Sequence, residues 1–403
     1  MLSTLRRLFL PVYIPTLLLA ISSGVLIPTL PIHLQSFDIS FSLIGLAIGA
    51  AGLGTIAMDL PAGMVLGILG RKRVMVAGAA AVGLATLALG FSPWYPLLVV
   101  LRLAAGIGTA FWNLSRLAYL ADMVPVHDRG RAISAFGGTT RIGMFIGPAL
   151  GGLVGREFGL ETAFIVAGAL DLTAALITLL WVVEPPAPVG AVHRTSHLGH
   201  VADLVRQHRR SFATAGTAQI CAQMIRQGRQ VIVPLYGASV LGLDVAAVGT
   251  IVSISSAIDM SLFIPAGLVM DRFGRKFASV PSFVVMGLGM AILPLATDYL
   301  GLLAATAVLG FGNGLGSGAM MTLGADLAPP GSSGEFLGVW RLIGDVGNAG
   351  APLVVGNLAD LLGLSVGAWV LAGVGLASAG VLTFLVPETL TKRGASAASP
   401  AKS

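Results

Sequence analysis

Long apolar runs, broken by short turns rich in glycine, proline or charge, recur from one end of the chain to the other. A helix needs roughly 20 apolar residues to cross the hydrocarbon of a bilayer. Reading each break as a turn predicts twelve such helices, near residues 8–34, 42–69, 74–93, 96–123, 132–155, 161–183, 213–240, 245–271, 277–296, 299–327, 335–361 and 364–386. The first run outlasts the core of a cleaved signal peptide, about 7–15 residues, so it is expected to stay as a spanning helix. The one long polar stretch carries Pro185, Pro186, Pro188 and the cluster Arg206, His208, Arg209, Arg210. It divides the chain into an N-terminal six-helix bundle (1–184), a linker (185–211), a second six-helix bundle (212–390) and a polar tail (391–403).

Composition sharpens this picture. Of 403 residues, 55% are hydrophobic and 10% charged, against roughly 25% charged in soluble domains. The net charge of +6 does not mark a nucleic-acid binder, because the basic residues are scattered through short turns instead of forming one surface. They also fall on one side. Arg71, Lys72, Arg73, Arg129, Arg131, the linker arginines, Arg272, Arg275 and Lys276 share the side of both termini, together with Arg6, Arg7, Lys392, Arg393 and Lys402, whereas the opposite loops hold only Arg156. The positive-inside rule then puts both termini in the cytoplasm of a bacterial-type inner membrane. The single cysteine, Cys221, excludes an internal disulfide and a cysteine-based metal site, and reads as a small apolar filler. His193, His197, His200 and His208 read as solvated linker residues, not as a metal site.

One phrase occurs twice, 204 residues apart: Pro61-Ala62-Gly63 leading to Gly70-Arg71-Lys72, and Pro265-Ala266-Gly267 leading to Gly274-Arg275-Lys276. At the same offset Asp122 matches Asp326, Gly106 matches Gly310, and Gly143, Pro148, Gly152 match Gly347, Pro352, Gly356. A repeat of half the chain in so apolar a sequence points to two related membrane bundles.

These residues resemble the major facilitator superfamily over essentially the whole chain. The family's loop motif, G-x-L-x-D-R-x-G-R-K, stands in the second half as Gly267, Asp271, Arg272, Gly274, Arg275 and Lys276; in the first half Gly67 and Ile68 replace the acid and arginine, leaving Arg71 to pair with Asp122. Helix 4 is similar to the R-x-x-x-G element at Arg102 to Gly106. Helix 5 carries Gly143, Gly147, Pro148, Gly151 and Gly152, similar to the motif of the drug/proton antiporter branch, where small residues and a proline suit a close-packed pivot. The resemblance implies twelve helices in two pseudo-symmetric bundles. Helices 1, 4, 7 and 10 would line a cavity, helices 2 and 11 and helices 5 and 8 would meet across the interface, and the loop-motif residues, with Gly63, Gly70, Asp122 and Asp326, would form a cytoplasmic gate.

Ionisable side chains at bilayer depth are costly, at least ~2.5 kcal/mol each, and so mark candidate function. On that template Asp259 is expected to meet Arg141, and Asp59 to reach Arg341 or share a site with Asp345; these five are the candidate proton-coupling groups. Asp171, on an outer helix, is expected to have a local hydrogen-bonded role. Arg102, Arg116, Trp112, Asn113, Gln223, Arg226, Gln227 and Tyr236 are expected to form a mixed cavity wall, with Trp340 and Tyr119 within reach; Arg102 and Arg229 could instead snorkel to the interface. The implied function is proton-coupled efflux of small amphipathic molecules by alternating access, or, given the arginine excess, uptake or exchange of an organic anion. No metal-ligand cluster, nucleophile elbow or phosphate loop suggests an enzyme. No cofactor beyond the proton gradient is implied, and the partners are the lipid bilayer and a small-molecule substrate, with a monomer expected and no nucleic acid.

Overall fold

A computed structural model describes residues 8–184, 197–329 and 331–390. Arg6, Arg7, Pro185, Pro186, Pro188, His193, Arg194 and the tail from 391 onward lie outside the described residues. Among the described residues the regular structure is entirely helical. Twelve long helices follow the predicted order: α1 (Phe9–Gln35), α2 (Phe41–Leu69), α3 (Arg71–Leu89), α4 (Tyr95–Met123), α5 (Val126–Phe158), α6 (Leu160–Trp181), α7 (Arg209–Ser239), α8 (Val245–Phe273), α9 (Arg275–Leu295), α10 (Tyr299–Leu327), α11 (Ser333–Leu362) and α12 (Leu364–Phe384). Nine of these, among the described residues, are long and apolar enough to cross a membrane; α5, α7 and α11 are the three with more polar sequences, such as Arg226, Gln227, Arg229 and Gln230 on α7.

Their ends follow from local chemistry. Ser40, Asp244 and Asp298 cap α2, α8 and α10 by accepting hydrogen bonds from the backbone N–H groups of Leu43, Ala247 and Gly301. Three elements differ from the sequence reading. Helix α5 begins at Val126, straight after Pro125, and α7 at Arg209, inside the stretch read as linker; the linker itself holds a helix, His197–Gln207. Apolar counting sees only the lipid-embedded turns, so polar first turns that project beyond them go unread. Helices α8 and α10 are also interrupted, at Leu262 and at residues 316–318.

Within the first half, α1 packs on α5 and α6, α2 on α4, and α3 on α4 and α6; in the second, α7 packs on α11 and α12, α8 on α10, and α9 on α10 and α12. The halves meet chiefly through α2 with α11 and α5 with α8, and α1 touches α7. Large apolar side chains such as Leu60, Ile264, Leu300 and Leu361 are more than 60% exposed, as suits helices whose solvent is lipid. The turns after α2, α4, α8 and α10 form what is here called the basic end, and the opposite turns the far end.

Candidate functional site

At the far end the halves are tightly joined. Asp360, in the last turn of α11, accepts the backbone N–H groups of Phe41 and Ser42 at 2.8 Å each and the Ser42 hydroxyl, so one half caps a helix of the other. Gln35 donates to Ser239 at 2.6 Å, joining α1 to α7. Backbones approach closely where α2 crosses α11, at Gly45 and Pro352, and where α5 crosses α8, at Gly152 and Val245.

Below this seal the halves part around a cavity of about 1100 Å³ that reaches the last turns of α4 and α8 at the basic end. Arg102, Thr109, Asn113 and Arg116 of α4 line it, at spacings of seven, four and three that keep them on one helical face. Gln227 of α7, Arg141 of α5 and Arg341, Asp345 and Asn348 of α11 also stand on its polar wall. Two smaller pockets adjoin it, one of about 200 Å³ reaching past Arg102 to Ser22, Thr86 and Gln230, the other of about 220 Å³ holding Arg141, Arg229, Asp259 and Asn313.

Of the expected wall residues, Arg102, Asn113, Arg116 and Gln227 line this cavity, and Trp112, Gln223, Arg226 and Tyr236 do not. Trp112 is turned into the contact between α4 and α3, where Gly78 sits against its backbone. Gln223 packs on Gly344 and Gly347 of α11 inside the second half. Arg226 lies over Phe283, with 5.3 Å between guanidinium and ring centroid, and donates to Gly316 O at 3.1 Å, taking up a carbonyl freed where α10 breaks. Tyr236 donates to the carbonyls of Pro294 and Ala296, left open by the 3₁₀ turn that ends α9. Trp340 and Tyr119 are buried as well, Trp340 donating to Met320 O. Large rings and long polar chains are needed to fill and satisfy the helix contacts, and the sequence alone did not distinguish that face from the cavity face. The rings that do face the cavity are Phe136 and Phe263, stacked with Arg116 at 3.7 Å and Arg141 at 4.4 Å.

The charged interface residues come together in two groups. Arg341 reaches across to Asp59 (Nη2 to Oδ1, 3.4 Å) and along its own helix to Asp345 (Nε to Oδ2, 3.6 Å), and Asn348 donates to Asp345 at 3.3 Å. Arg141 lies 3.9 Å from Asp259 and donates to Ser317 on α10 at 2.8 Å, while Asp259 Oδ1 has no hydrogen-bond partner. Asp171 is fully buried behind α1, accepting from Ser22 at 2.7 Å. Arg229 lies beside Asp259, and Arg102 stands at the junction of the cavity and its deeper pocket.

The loop-motif residues form the same clasp in each half. Arg71 pairs with Asp122 at 2.8 Å and Arg275 with Asp326 at 2.6 Å, joining α3 to α4 and α9 to α10. Glu184 accepts the backbone N–H groups of Arg71 and Lys72, and Glu388 those of Arg275 and Lys276. Gly70 and Gly274 are needed twice here: their φ values of +83° and +112° disfavour other residues, and a Cβ would strike the carboxylate. Glu388 is held below the usual carboxylate range: burial pushes it up, but the N–H groups of Lys276, Leu390, Arg275 and Thr389 outweigh that. Both glutamates went unread in the sequence, although they share the 204-residue offset, each two residues after a valine (Val182 and Val386). Elsewhere in the motif, Asp271 lines the cavity, Arg272 lies over Phe273, and Gly63 and Gly267 meet no close neighbour, because here their helices border open space instead of another backbone.

Helix α5 runs unbroken through Pro148. Gly143, Gly147 and Gly151 face α1 and Gly152 faces α8, while the Ala149 N–H beside the proline donates across the interface to Ser253 at 2.8 Å.

The profile of the Major Facilitator Superfamily matches residues 12–217 and again 215–403. The homologue of the multi-drug resistance efflux pump PmrA in Lactococcus lactis is 26% identical over 378 residues, 89% of each chain. An uncharacterised MFS-type transporter of Methanocaldococcus jannaschii is 24% identical, across 88% of this chain and 92% of its own. Among solved structures, a D-xylose-proton symporter superposes with a TM-score of 0.75 at 20% identity, covering 96% of this chain and 98% of that one. Twelve helices in two repeated halves around a cavity, with the loop motif and these likenesses, place the chain in the major facilitator superfamily of membrane transporters, where it resembles the drug/proton antiporter branch.

Proposed function

We propose that the chain exports small amphipathic organic molecules in exchange for protons, by rocking of the 1–184 and 212–390 bundles about the 185–211 linker. The basic end and both termini then face the cytoplasm, the orientation that the lysine and arginine count favours, and the arrangement described is the one open to that side. The observation that carries the reading is the pair of charged groups, Asp59–Arg341–Asp345 and Asp259–Arg141, set where the two halves meet at the cavity. Moving the halves apart removes an arginine from a carboxylate and so changes its hold on a proton, which ties proton uptake to opening. Likeness to the multi-drug pump favours export.

Flux of a panel of labelled amphipathic compounds into inverted vesicles, with and without an imposed proton gradient, tests the reading. Accumulation that survives collapse of the gradient would remove proton coupling, and net movement only in the opposite sense would favour uptake or exchange. Of the two interface acids, Asp59 is assigned the proton, because Arg141 is the more obvious permanent partner of Asp259. Asp59→Asn is expected to abolish gradient-driven accumulation while preserving substrate exchange; full proton-driven transport in both Asp59→Asn and Asp259→Asn would transfer the role to Asp345.

A further inference from the structure

We infer that the molecule carried in this cavity bears an acidic group, a carboxylate, sulfonate or phosphate, and that Arg102 is its anchor. The inference rests on the cavity being the substrate path, not on the direction or coupling of transport. Four arginines reach the cavity: Arg102, Arg116, Arg141 and Arg341. Two are balanced on the protein itself, Arg341 by Asp59 and Asp345, and Arg141 by Asp259. The other two, both on α4, have no carboxylate within 4 Å among the described residues.

These two differ. Arg116 rests on the face of Phe136, which offsets part of its charge. Arg102 has no ring beneath it, and its Nε is buried without a hydrogen-bond partner. Its neighbour across the deeper pocket, α1, contains no acidic residue in Phe9–Gln35, and Asp171 of α6, which accepts from Ser22 through Oδ2 and has no partner at Oδ1, forms no ion pair with it. A guanidinium left unpaired at this depth is costly unless a partner arrives from outside the protein. Around it, the 200 Å³ pocket offers Ser23, Gln227 and Gln230, hydroxyl and amide donors suited to the oxygens of an anion. A guanidinium fork grips two such oxygens at once. The apolar body of the ligand would lie against Leu26, Ile27, Ile48 and Val231, which line the same pocket as Arg102.

The test is equilibrium binding to the full chain in nanodiscs, without any gradient, of three probes that share one ring system: 1-naphthalenesulfonate, 1-naphthylmethylammonium and 1-naphthylmethanol. The sulfonate is expected to bind at least about tenfold more tightly than the ammonium, the scale of a charge-assisted hydrogen bond. Arg102→Gln should weaken the sulfonate by roughly tenfold and leave the alcohol within about twofold, with Arg102→Lys falling between. Equal or tighter binding of the ammonium, no saturable sulfonate binding, or Arg102→Gln without effect on the sulfonate would each overturn the inference. The three-probe comparison on the wild-type chain does not depend on any variant folding. Because no gradient is applied, failed proton coupling in vesicles leaves this result standing, and failed sulfonate preference leaves the flux result standing.

Discussion

Gly152→Ala adds one methyl group where α5 of the first half crosses the start of α8 in the second. The new Cβ would lie 2.7 Å from Val245 O, 3.0 Å from Ala246 Cα and 3.3 Å from Gly249 Cα. Ordinary contact begins near 3.4 Å, so the two backbones must part by about 0.7 Å in a region packed at crystal-like density. Overpacking of this kind costs about 1–3 kcal/mol. In a single rigid bundle that cost would appear as lost stability. Here the crowded partner belongs to the other half, and a state with the far end parted escapes the clash, so the populations should move toward that state by about 5- to 150-fold. The assay uses a Cys221→Ser background with Ser23→Cys as reporter in the deep pocket. A membrane-impermeant thiol reagent applied from the far face should react several-fold faster in Gly152→Ala, and more slowly from the basic face. Gly147→Ala is the control: its Cβ would meet Gly24 Cα at 2.6 Å inside the same half, so it should lower the melting temperature without shifting the ratio of the two rates. A folded Gly152→Ala protein with unchanged or lower far-face reactivity would refute the idea that this seal is one that opens.

Tyr236→Phe removes a hydroxyl that donates to Pro294 O at 2.9 Å and Ala296 O at 3.2 Å; the loss of about 1 kcal/mol should lower the melting temperature by a few degrees with substrate affinity unchanged, and a change in affinity alone would restore Tyr236 to the cavity wall. Glu388→Gln should lower thermal stability slightly at neutral pH, because this exposed carboxylate is favoured in its charged form. A depressed acid stabilises the fold above its unfolded pKa and loses that contribution as pH falls through the folded value, so the gap between wild type and variant should close below about pH 4; a gap that widens on acidification would contradict the cap. Gly67→Asp, which restores the family's acid, should be neutral in expression and flux, since nothing lies within 4 Å of its Cβ and Arg71 is already held by Asp122; lost flux would show that the new acid captures Arg71.

The apolar runs fixed the number and order of the helices, because lipid demands long uninterrupted segments and the turn residues punctuate them visibly. The loop-motif resemblance led to Arg71 with Asp122, while the 204-residue offset matched Asp122 to Asp326 without reading the partner of Asp326, which the structure gives as Arg275; fold resemblance placed α2 beside α11 and α5 beside α8, which is why Asp59 with Arg341 and Asp259 with Arg141 were legible as neighbours. The cavity wall was less legible. Asn113 and Trp112 are adjacent in sequence, yet about 100° around the helix separates the cavity from the α3 contact. A residue's helix could be named, but not its face. Glu184 and Glu388 were missed because they lie past the last apolar residue, where a carboxylate reads as solvated, and their partners are backbone N–H groups that no side-chain pattern reports.

The repeat in sequence is not matched by a repeat in helix continuity. Helices α2 and α4 of the first half are continuous, whereas their counterparts α8 and α10 are interrupted at Leu262 and at residues 316–318, with Gly318 at φ +77°. The interruption in α10 is held by Arg226 on Gly316 O and by Ser282 on Gly312 O, both from its own half. A third contact comes from the other half: Arg141 donates to Ser317, and the same guanidinium faces Asp259 just before the break in α8. Arg141 therefore bridges a carboxylate and a loosened helix at once, and any change in its pairing with Asp259 alters a contact at the α10 break. In the first half the two arginines without a carboxylate partner, Arg102 and Arg116, stand on an unbroken α4. Under the proposed alternating access, such a division would let the second half bend without disturbing the proposed anchor at Arg102.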